Sequence, residues 1–403
     1  MFSLFFKTTS MKEKFIQIVF NYKFLFIAYI VFALFASNQT YFLPKSWFTN
    51  GHFYAHYNNY LIFKHSFFHL IDYKDLYILY PNEHWDYYKY SPSFALLFAP
   101  FTLLPDYFGL ILWNLLNAFV LFFAIYSFPK INDRSKQYIL IFMLIELMTS
   151  MQNSQSNGLI AGLIILSFAL LENEKYFLAT LFLVFCVYIK LFGIVAFSLL
   201  LLYPKKTKVI GYSAFWVLII GILPYFVISF HQLTFLYSSW IGLLKADHSI
   251  SYGYSVMGWL KTWFGADFPK MYVVLAGAVL FCIPLFRVKL YKEFSFRALL
   301  LSSILIWIVI FNHKAESPTF IIAISGCAFW YFPRVRTIEN LILIILVFIF
   351  TSLSPTDIFP REIRIGIFQH YAIKAVPCIL IWLKLIYEMI FGPIRLYKDQ
   401  III

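Results

Sequence analysis

The sequence predicts an all-α, polytopic membrane protein, and three observations carry that prediction. The chain has 403 residues, 62% hydrophobic and 22% aromatic but only 13% charged. A soluble domain is about half apolar and about a quarter charged. The mean hydropathy is +0.77. The apolar runs, such as NLILIILVFIF at 340–350, are continuous, whereas strands of a membrane barrel alternate apolar and polar residues. Hydrocarbon cannot hydrogen-bond the backbone, so such runs are expected to be helices.

Charge sets the expected sidedness. The formal net charge is +13, but the basic residues fall in short links beside the apolar runs. That is the positive-inside pattern, and no nucleic-acid partner is expected. Lys7, Lys12, Lys14 and Lys23 precede the first run, 24–36, which puts residues 1–23 in the cytoplasm. FPKINDRSK near 130, YPKKTK near 205, FRVKLYKEFSFR near 290, FPRVR near 334 and RLYK near 395 are the other inward links. Segments 38–91, 150–157, 231–270, 313–318 and 354–371 then face outward. About 12 crossings follow. They form one integral membrane domain over 1–403, with the helices after the long loop in 92–403. Between 92 and 128 two apolar runs break at Pro105 and Asp106, yet the flanks require one net crossing. One of the two is expected to be a re-entrant or interfacial helix. No small-residue cleavage site follows the first run, so no cleavable signal peptide is expected. Cys186, Cys282, Cys327 and Cys378 show no CxxC or metal spacing and read as packing residues.

The outward segments hold the chemistry. The first, 38–91, is long for a compact membrane protein, which marks it as functional. Tyr57, Tyr60, Leu61, Phe67, Phe68 and Ile71 follow helical spacing, predicting an amphipathic helix at the membrane surface. His52 and His56, and His65 and His69, stand four apart. Such pairs on a helix could bind zinc, but no carboxylate of HExxH type accompanies them, so no metal or other cofactor is indicated. Asp72, Asp75, Glu83 and Asp86 are the acids of this loop. Asp86, between Trp85 and Tyr87 and just before the chain re-enters the membrane, suits a general base whose carboxyl is partly desolvated.

Gln152, Asn153, Gln155 and Asn157 interrupt an apolar stretch. Unpaired amides in hydrocarbon cost several kcal/mol, so these must face a cavity or each other; amides also suit sugar hydroxyls. Glu146, inside the preceding run, is either functional or paired with a neighbour. Lys190 ends an apolar run and either snorkels or offers its charge to a phosphate. Asn312, His313, Lys314 and Glu316 form a compact polar link that could hold an anion or supply an acid. Arg361, Arg364, His370 and Lys374 are basic but outward, against the usual bias, which a bound anion would explain.

The order of these features resembles the membrane-embedded GT-C glycosyltransferases of family 87, which include polyprenyl-phosphate-mannose-dependent mannosyltransferases. The family shows D-[FY]-x-x-Y after its first span, a loop ending YPP before a run closing in LLP, then GQxN, then a Lys ending an apolar run. Here Tyr90 opens YSPSFALLFAPFTLLP, Leu112 opens LWNLLN, Ser154–Asn157 reads SQSN, and Lys190 follows. The likeness covers roughly 25–210 well and the C-terminal half weakly.

The resemblance implies a GT-C-like helical bundle with interfacial helices in the first outward loop, in the cytoplasmic membrane. It implies inverting transfer of a hexose from a polyprenyl-phosphate donor to a glycan or lipid acceptor on the outer face. Lys190 with His313, Lys314 or Arg364 would hold the donor phosphate. Asn58, Tyr90, Gln152, Asn153, Gln155 and Asn157 would line the substrate site. The departures are Ser91 at the first proline of YPP, Ser154 for the glycine, Gly193 where a proline follows the Lys and, most serious, the acid. His56-Tyr57-Asn58-Asn59-Tyr60 matches D-[FY]-x-x-Y with histidine in the acid's place. The base is then His56 itself, or Asp86 or Glu316, unless the chain has lost the activity. A transporter or lipid flippase of envelope polysaccharide assembly is the rival reading, favoured only by Glu146.

Overall fold

The computed structural model describes residues 17–45, 47–49, 51–246, 251–334 and 337–392. Lys7, Lys12 and Lys14, and the RLYK link, lie outside the described residues. The chain is all-α. The helices of the first half are α1 (Tyr22–Phe42), α2 (Asn58–Ile71), α3 (Pro92–Leu97), α4 (Asp106–Tyr126), α5 (Asp133–Gln152), α6 (Asn157–Glu172) and α7 (Tyr176–Ile189). A 3-10 helix, Leu191–Leu202, leads to α8 (Lys206–Ile222), α9 (Phe230–Ala246), α10 (Val256–Phe264), α11 (Lys270–Cys282), α12 (Phe294–Ile310), α13 (Phe320–Tyr331), α14 (Ile338–Leu346) and α15 (Val376–Phe391). Among the described residues the only strands are a hairpin in the first loop, β1 (Trp47–Thr49) and β2 (His52–Tyr54), with Phe48 opposite Phe53. This hairpin is not among the expected elements. It places His52 on a strand and His56 in the following loop, so those two histidines share no helix face.

Among the described residues three helices are long and apolar enough to cross a membrane: α1, α4, and α8 with its 3-10 extension to Phe226. Each has 21 residues, or about 31 Å at 1.5 Å per residue, which matches a hydrocarbon core of ~30 Å. The other expected crossings fall on shorter apolar helices, among them α6, α7, α12 and α13. Polar caps fix several starts. Asn21 accepts from the Lys23 amide at 2.8 Å, Asn132 from the Ser135 amide at 2.7 Å, and Ser91 from the Phe94 amide at 3.1 Å. Each satisfies one of the orphan donors of a first turn. Small residues let the helices close up. A Cβ on Gly162 would lie 2.8 Å from the Leu121 backbone nitrogen, and one on Gly326 would lie 2.6 Å from the Ser302 carbonyl oxygen. Such backbone approach is a main source of cohesion between helices in lipid.

Side-chain bonds sort the links into two sets. In one, the Tyr22 hydroxyl donates to Asp133 at 3.0 Å. Lys130, Tyr203 and Arg297 converge on the Glu172 carboxylate at 2.9, 2.7 and 2.5 Å. Arg334 reaches Glu388 at 2.7 Å. In the other, Gln152 donates to Gln39 at 2.6 Å, Asn59 to the Asn153 carbonyl at 2.9 Å, Ser239 to Asp75 at 2.9 Å, and the Trp263 indole to the Tyr371 carbonyl at 2.8 Å. The two sets are the links the charge pattern assigns to opposite faces.

The strained region resolves simply. α3 has six residues, about 9 Å of helix, and cannot cross. With the turn Ala99–Thr102 it lies against α2, where Phe63 packs edge-on against Phe94 and Phe98. In this stretch only α4 is long and apolar enough to cross. α2 exists as expected, but its inner face is not the expected one. Tyr60, Phe63, Ser66 and Leu70 are buried, while Phe67 and Phe68 are half-buried and Ile71 is exposed. Spacing alone could not choose between two aromatic stripes on one helix. The deciding partner is the α3 aromatic cluster, which arrives some thirty residues later in the chain.

Glu146 is fully buried in α5 and pairs with Lys374, also buried, at 2.6 Å. Pairing is one of the two alternatives its position left open. Breaking such a pair from one side strands a charge. Lys374→Met is therefore expected to destabilise the protein by about 3–5 kcal/mol, with most of the loss recovered in the double variant Glu146→Gln/Lys374→Met. Thermal unfolding followed by tryptophan fluorescence in detergent checks both.

Candidate active site

The site begins at the α5–α6 turn. α5 ends at Gln152, and the turn closes through Ser154 N–H to the Met151 carbonyl at 2.9 Å and Gln155 N–H to the Ser150 carbonyl at 3.1 Å. Ser154 sits at φ +50°, left-handed backbone that glycine adopts more readily. Its buried hydroxyl has no hydrogen-bond partner among the described residues, and its carbonyl accepts from the Trp113 indole at 2.9 Å. Glycine fits the same conformation without stranding a hydroxyl. Ser154→Gly is expected to raise stability by about 1 kcal/mol, and Ser154→Val to lower it; comparing melting midpoints tests this. Asn117 supports the turn from α4, its side-chain oxygen accepting from the Leu159 amide at 2.8 Å. Asn114 donates to Ser37 at 2.9 Å. The LWNLLN segment is thus scaffolding for the site.

This turn splits the four amides. Gln155 and Asn157 are buried and face inward. Gln152 and Asn153 face the other way, Gln152 toward Gln39 and the Asn153 side chain back to the Thr149 carbonyl at 2.8 Å. The structure does not bring those two to the site.

Lys190 is the centre. It follows the last residue of α7 in extended conformation, so the chain breaks there and restarts as the 3-10 helix. Its Nζ donates to Asn157 Oδ1 at 2.8 Å and Gln155 Oε1 at 3.2 Å, and lies 5.7 Å from the Tyr90 ring centroid. The Tyr90 hydroxyl points to the same Gln155 oxygen at 3.4 Å. Among the described residues Lys190 forms no ion pair. Its partners are neutral amides, so its positive charge is left for something else.

The polar link 312–318 forms the next wall. Asn157 donates to the Pro318 carbonyl at 3.0 Å, and the Tyr254 amide to the Ala315 carbonyl at 2.9 Å. Gly253, at φ +54°, would drive a Cβ to 2.7 Å from the His313 carbonyl, so this approach requires glycine. His313 and Lys314 are half-buried in the link and Glu316 is exposed. Glu316 is the main opposing charge acting on Lys190, and its field also reaches the Tyr90 hydroxyl. Its carboxylate accepts no hydrogen bond among the described residues.

Asp86 stands at the rim, at φ +77°. One oxygen accepts from the Tyr87 amide at 2.8 Å and the other from Lys89 at 3.0 Å. Its carboxylate is half-exposed and engaged, not the desolvated acid the sequence suggested. Asn58 is not in the site either. It holds the Trp85 backbone at both ends, donating at 2.9 Å and accepting at 3.1 Å. It thereby positions the Asp86 turn. His56 lies exposed just before α2.

Beyond the link lies a cavity of about 350 Å³ lined by Tyr254, Arg361, Arg364, Phe368 and Lys374 among others. Arg364 pairs with Asp357 at 2.9 Å. Lys374 is held by Glu146, while Arg361 has no ionic partner among the described residues. A second, apolar cavity of about 370 Å³ is lined by Val256, Trp259, Tyr272, Phe311, Trp382 and Leu383 among others. The two have no lining residue in common but draw on the same two segments: 254–260 contributes Tyr254 to one and Trp259 to the other, and 374–383 contributes Lys374 and Trp382. Tyr254 was not foreseen. The sequence around it, SYGYS, carries no charge or motif to single it out.

The sequence profile of glycosyltransferase family 87 matches residues 88–337, well over half of the chain. The chain belongs to glycosyltransferase family 87. It is therefore a membrane-embedded glycosyltransferase, working in the lipid bilayer on a sugar donor and an acceptor. No curated protein matches the chain closely enough to refine this. The family 87 match begins two residues after Asp86 and well after His56. Of the three candidate bases only Glu316 falls inside it, as do Tyr90, Gln155, Asn157 and Lys190, while Arg364 lies beyond its end.

Proposed function

We propose that this family 87 glycosyltransferase moves a hexose, such as mannose, from a polyprenyl-phosphate donor to a glycan or lipid hydroxyl on the outer face of the cytoplasmic membrane. The observation that supports this donor class is that a cationic and an apolar cavity are built on the same two segments, 254–260 and 374–383. A polyprenyl-phosphate sugar is charged at one end and apolar at the other, and it needs that juxtaposition. The tail occupies the apolar cavity beside Trp259 and Trp382. Lys190, with His313 and Lys314 in the link and Arg364 beyond it, holds the phosphate. Gln155, Asn157 and Tyr90 meet the sugar hydroxyls. The helices form a GT-C-like bundle of about 12 crossings, with the N-terminus cytoplasmic by the positive-inside rule.

Glu316 acts as the general base. It takes the proton of the acceptor hydroxyl as that oxygen attacks the anomeric carbon. The bond from that carbon to the phosphate oxygen breaks, and polyprenyl phosphate leaves against the Lys190 ammonium. Charge placed where the leaving group becomes negative is the main electrostatic contribution. A single displacement inverts the anomeric centre. A carboxylate unpaired among the described residues distinguishes Glu316 from Asp86, which Lys89 neutralises.

Photo-crosslinking tests the donor's seat. A polyprenyl-phosphate hexose carrying a diazirine in its tail is expected to label peptides containing Trp259, Tyr272 or Leu383, with free polyprenyl phosphate competing. Labelling confined to α1 or α14, with none in 256–280, would exclude this seat.

A further inference from the structure

The two histidines of α2 gain a carboxylate that the sequence did not offer. His65 and His69 lie one helical turn apart, and the turn after α2 brings Glu83 back over them. Glu83 Oε2 stands 2.8 Å from His69 Nε2 and 3.2 Å from His65 Nδ1. One ligand atom from each residue lies within 4.8 Å of the others. Bonds of about 2.0–2.2 Å to a four-coordinate ion separate its donors by roughly 3.3–3.5 Å, so small side-chain adjustments would place all three on one centre.

A second observation points to a missing ligand. His69 is buried, and its Nε2 and the Glu83 Oε2 are both sealed from solvent, yet neither makes a hydrogen bond among the described residues. They touch without donor–acceptor alignment. A simple His–Glu hydrogen bond would have left neither orphaned, and such orphans are uncommon in buried sites. His65 and Glu83 are each about a third exposed, which leaves a way in from the outer face.

We propose that His65, His69 and Glu83 form a divalent-cation site of the zinc class, with three protein ligands and one open position, that clips the Glu83 turn onto α2. Two neutral nitrogens and one carboxylate oxygen suit zinc, whose sites accept this donor set. Neutral imidazole nitrogens are the commonest zinc ligands among side chains. The nearby cations do not fill the site: Lys64 is paired with Asp106 and Lys74 with Asp72 at 3.1 Å. The neighbouring His84 has its Nδ1 3.1 Å from the Asp86 carbonyl and its ring centre 6.1 Å from that of His65. Since Glu83 lies three residues from Asp86 and seven from Tyr90, an ion here would fix the outer rim of the active site. It is separate from the transfer reaction and does not depend on the donor assigned above.

The test uses the purified full-length protein, stripped with a chelator and titrated with Co²⁺ and then Zn²⁺. The expected result is one equivalent of Co²⁺, with the visible absorption of a four- or five-coordinate ion, displaced by Zn²⁺. Zn²⁺ should also raise the melting midpoint of the wild type. Glu83→Gln and His69→Ala should each weaken binding by at least about 10–100-fold, while His52→Ala should bind as wild type does. Glu83→Gln keeps the size of a half-exposed side chain, so its metal-free midpoint separates lost ligation from lost fold. No stoichiometric Co²⁺ binding by the wild type, or binding by Glu83→Gln equal to wild type, would overturn the proposal.

Discussion

Glu316→Gln is expected to lower kcat for sugar transfer by about 10²–10⁴-fold, the range of a lost general base, with donor binding unchanged. The exchange keeps size but removes the negative charge and the ability to take a proton. The carboxylate is exposed and unpaired among the described residues, so the fold does not depend on it and the melting midpoint should stay where it is. The paired comparison is Asp86→Asn. Asp86 is bound to Lys89 and to the Tyr87 amide, and its replacement should change transfer far less. Single-turnover rates with a preformed donor complex separate the two. If Asp86→Asn is the inactive variant and Glu316→Gln transfers normally, the base has been assigned to the wrong wall of the site.

Lys190→Met carries the other large effect. Methionine fills a similar volume but leaves the departing phosphate without its ammonium. The loss in kcat/KM should be about 10²–10³-fold, as for other donors aimed at developing charge. Gln155 and Asn157 each lose a donor, which adds a stability cost of about 1–3 kcal/mol. Lys190→Arg keeps the charge but not the compact geometry, and should recover only part of the activity. A variant that melts as wild type does yet transfers normally would remove Lys190 from the phosphate site.

Much of the site could be read from the sequence because polar groups are so costly inside an apolar run. That cost singled out Lys190, Gln155 and Asn157, and the structure brings these three into direct contact. The same logic placed Glu146, whose partner Lys374 lies 228 positions away and could not be named from spacing. What could not be read depended on backbone turns and on distant partners. The left-handed Ser154 reverses the chain between Asn153 and Gln155, so four adjacent-looking amides divide into two pairs facing opposite ways. Asn58 looked like a sugar ligand, and its amide bonds the Trp85 backbone once in each direction. The buried stripe of α2 is set by aromatics of α3, and the Glu83 carboxylate meets His65 and His69 only because the loop folds back. Asp86 and Glu316 look alike in sequence but differ in their partners: Asp86 is paired with Lys89, and the Glu316 carboxylate has no partner among the described residues.

The most direct measurement is turnover by the purified protein in lipid vesicles, given a polyprenyl-phosphate hexose labelled in the sugar and a hydroxylated glycan acceptor. Released polyprenyl phosphate and transferred hexose are counted together. The expected result is their appearance in equal amounts, with the anomeric configuration inverted and both signals lost in Lys190→Met. Transfer from a nucleotide sugar but from no polyprenyl-phosphate sugar would contradict it.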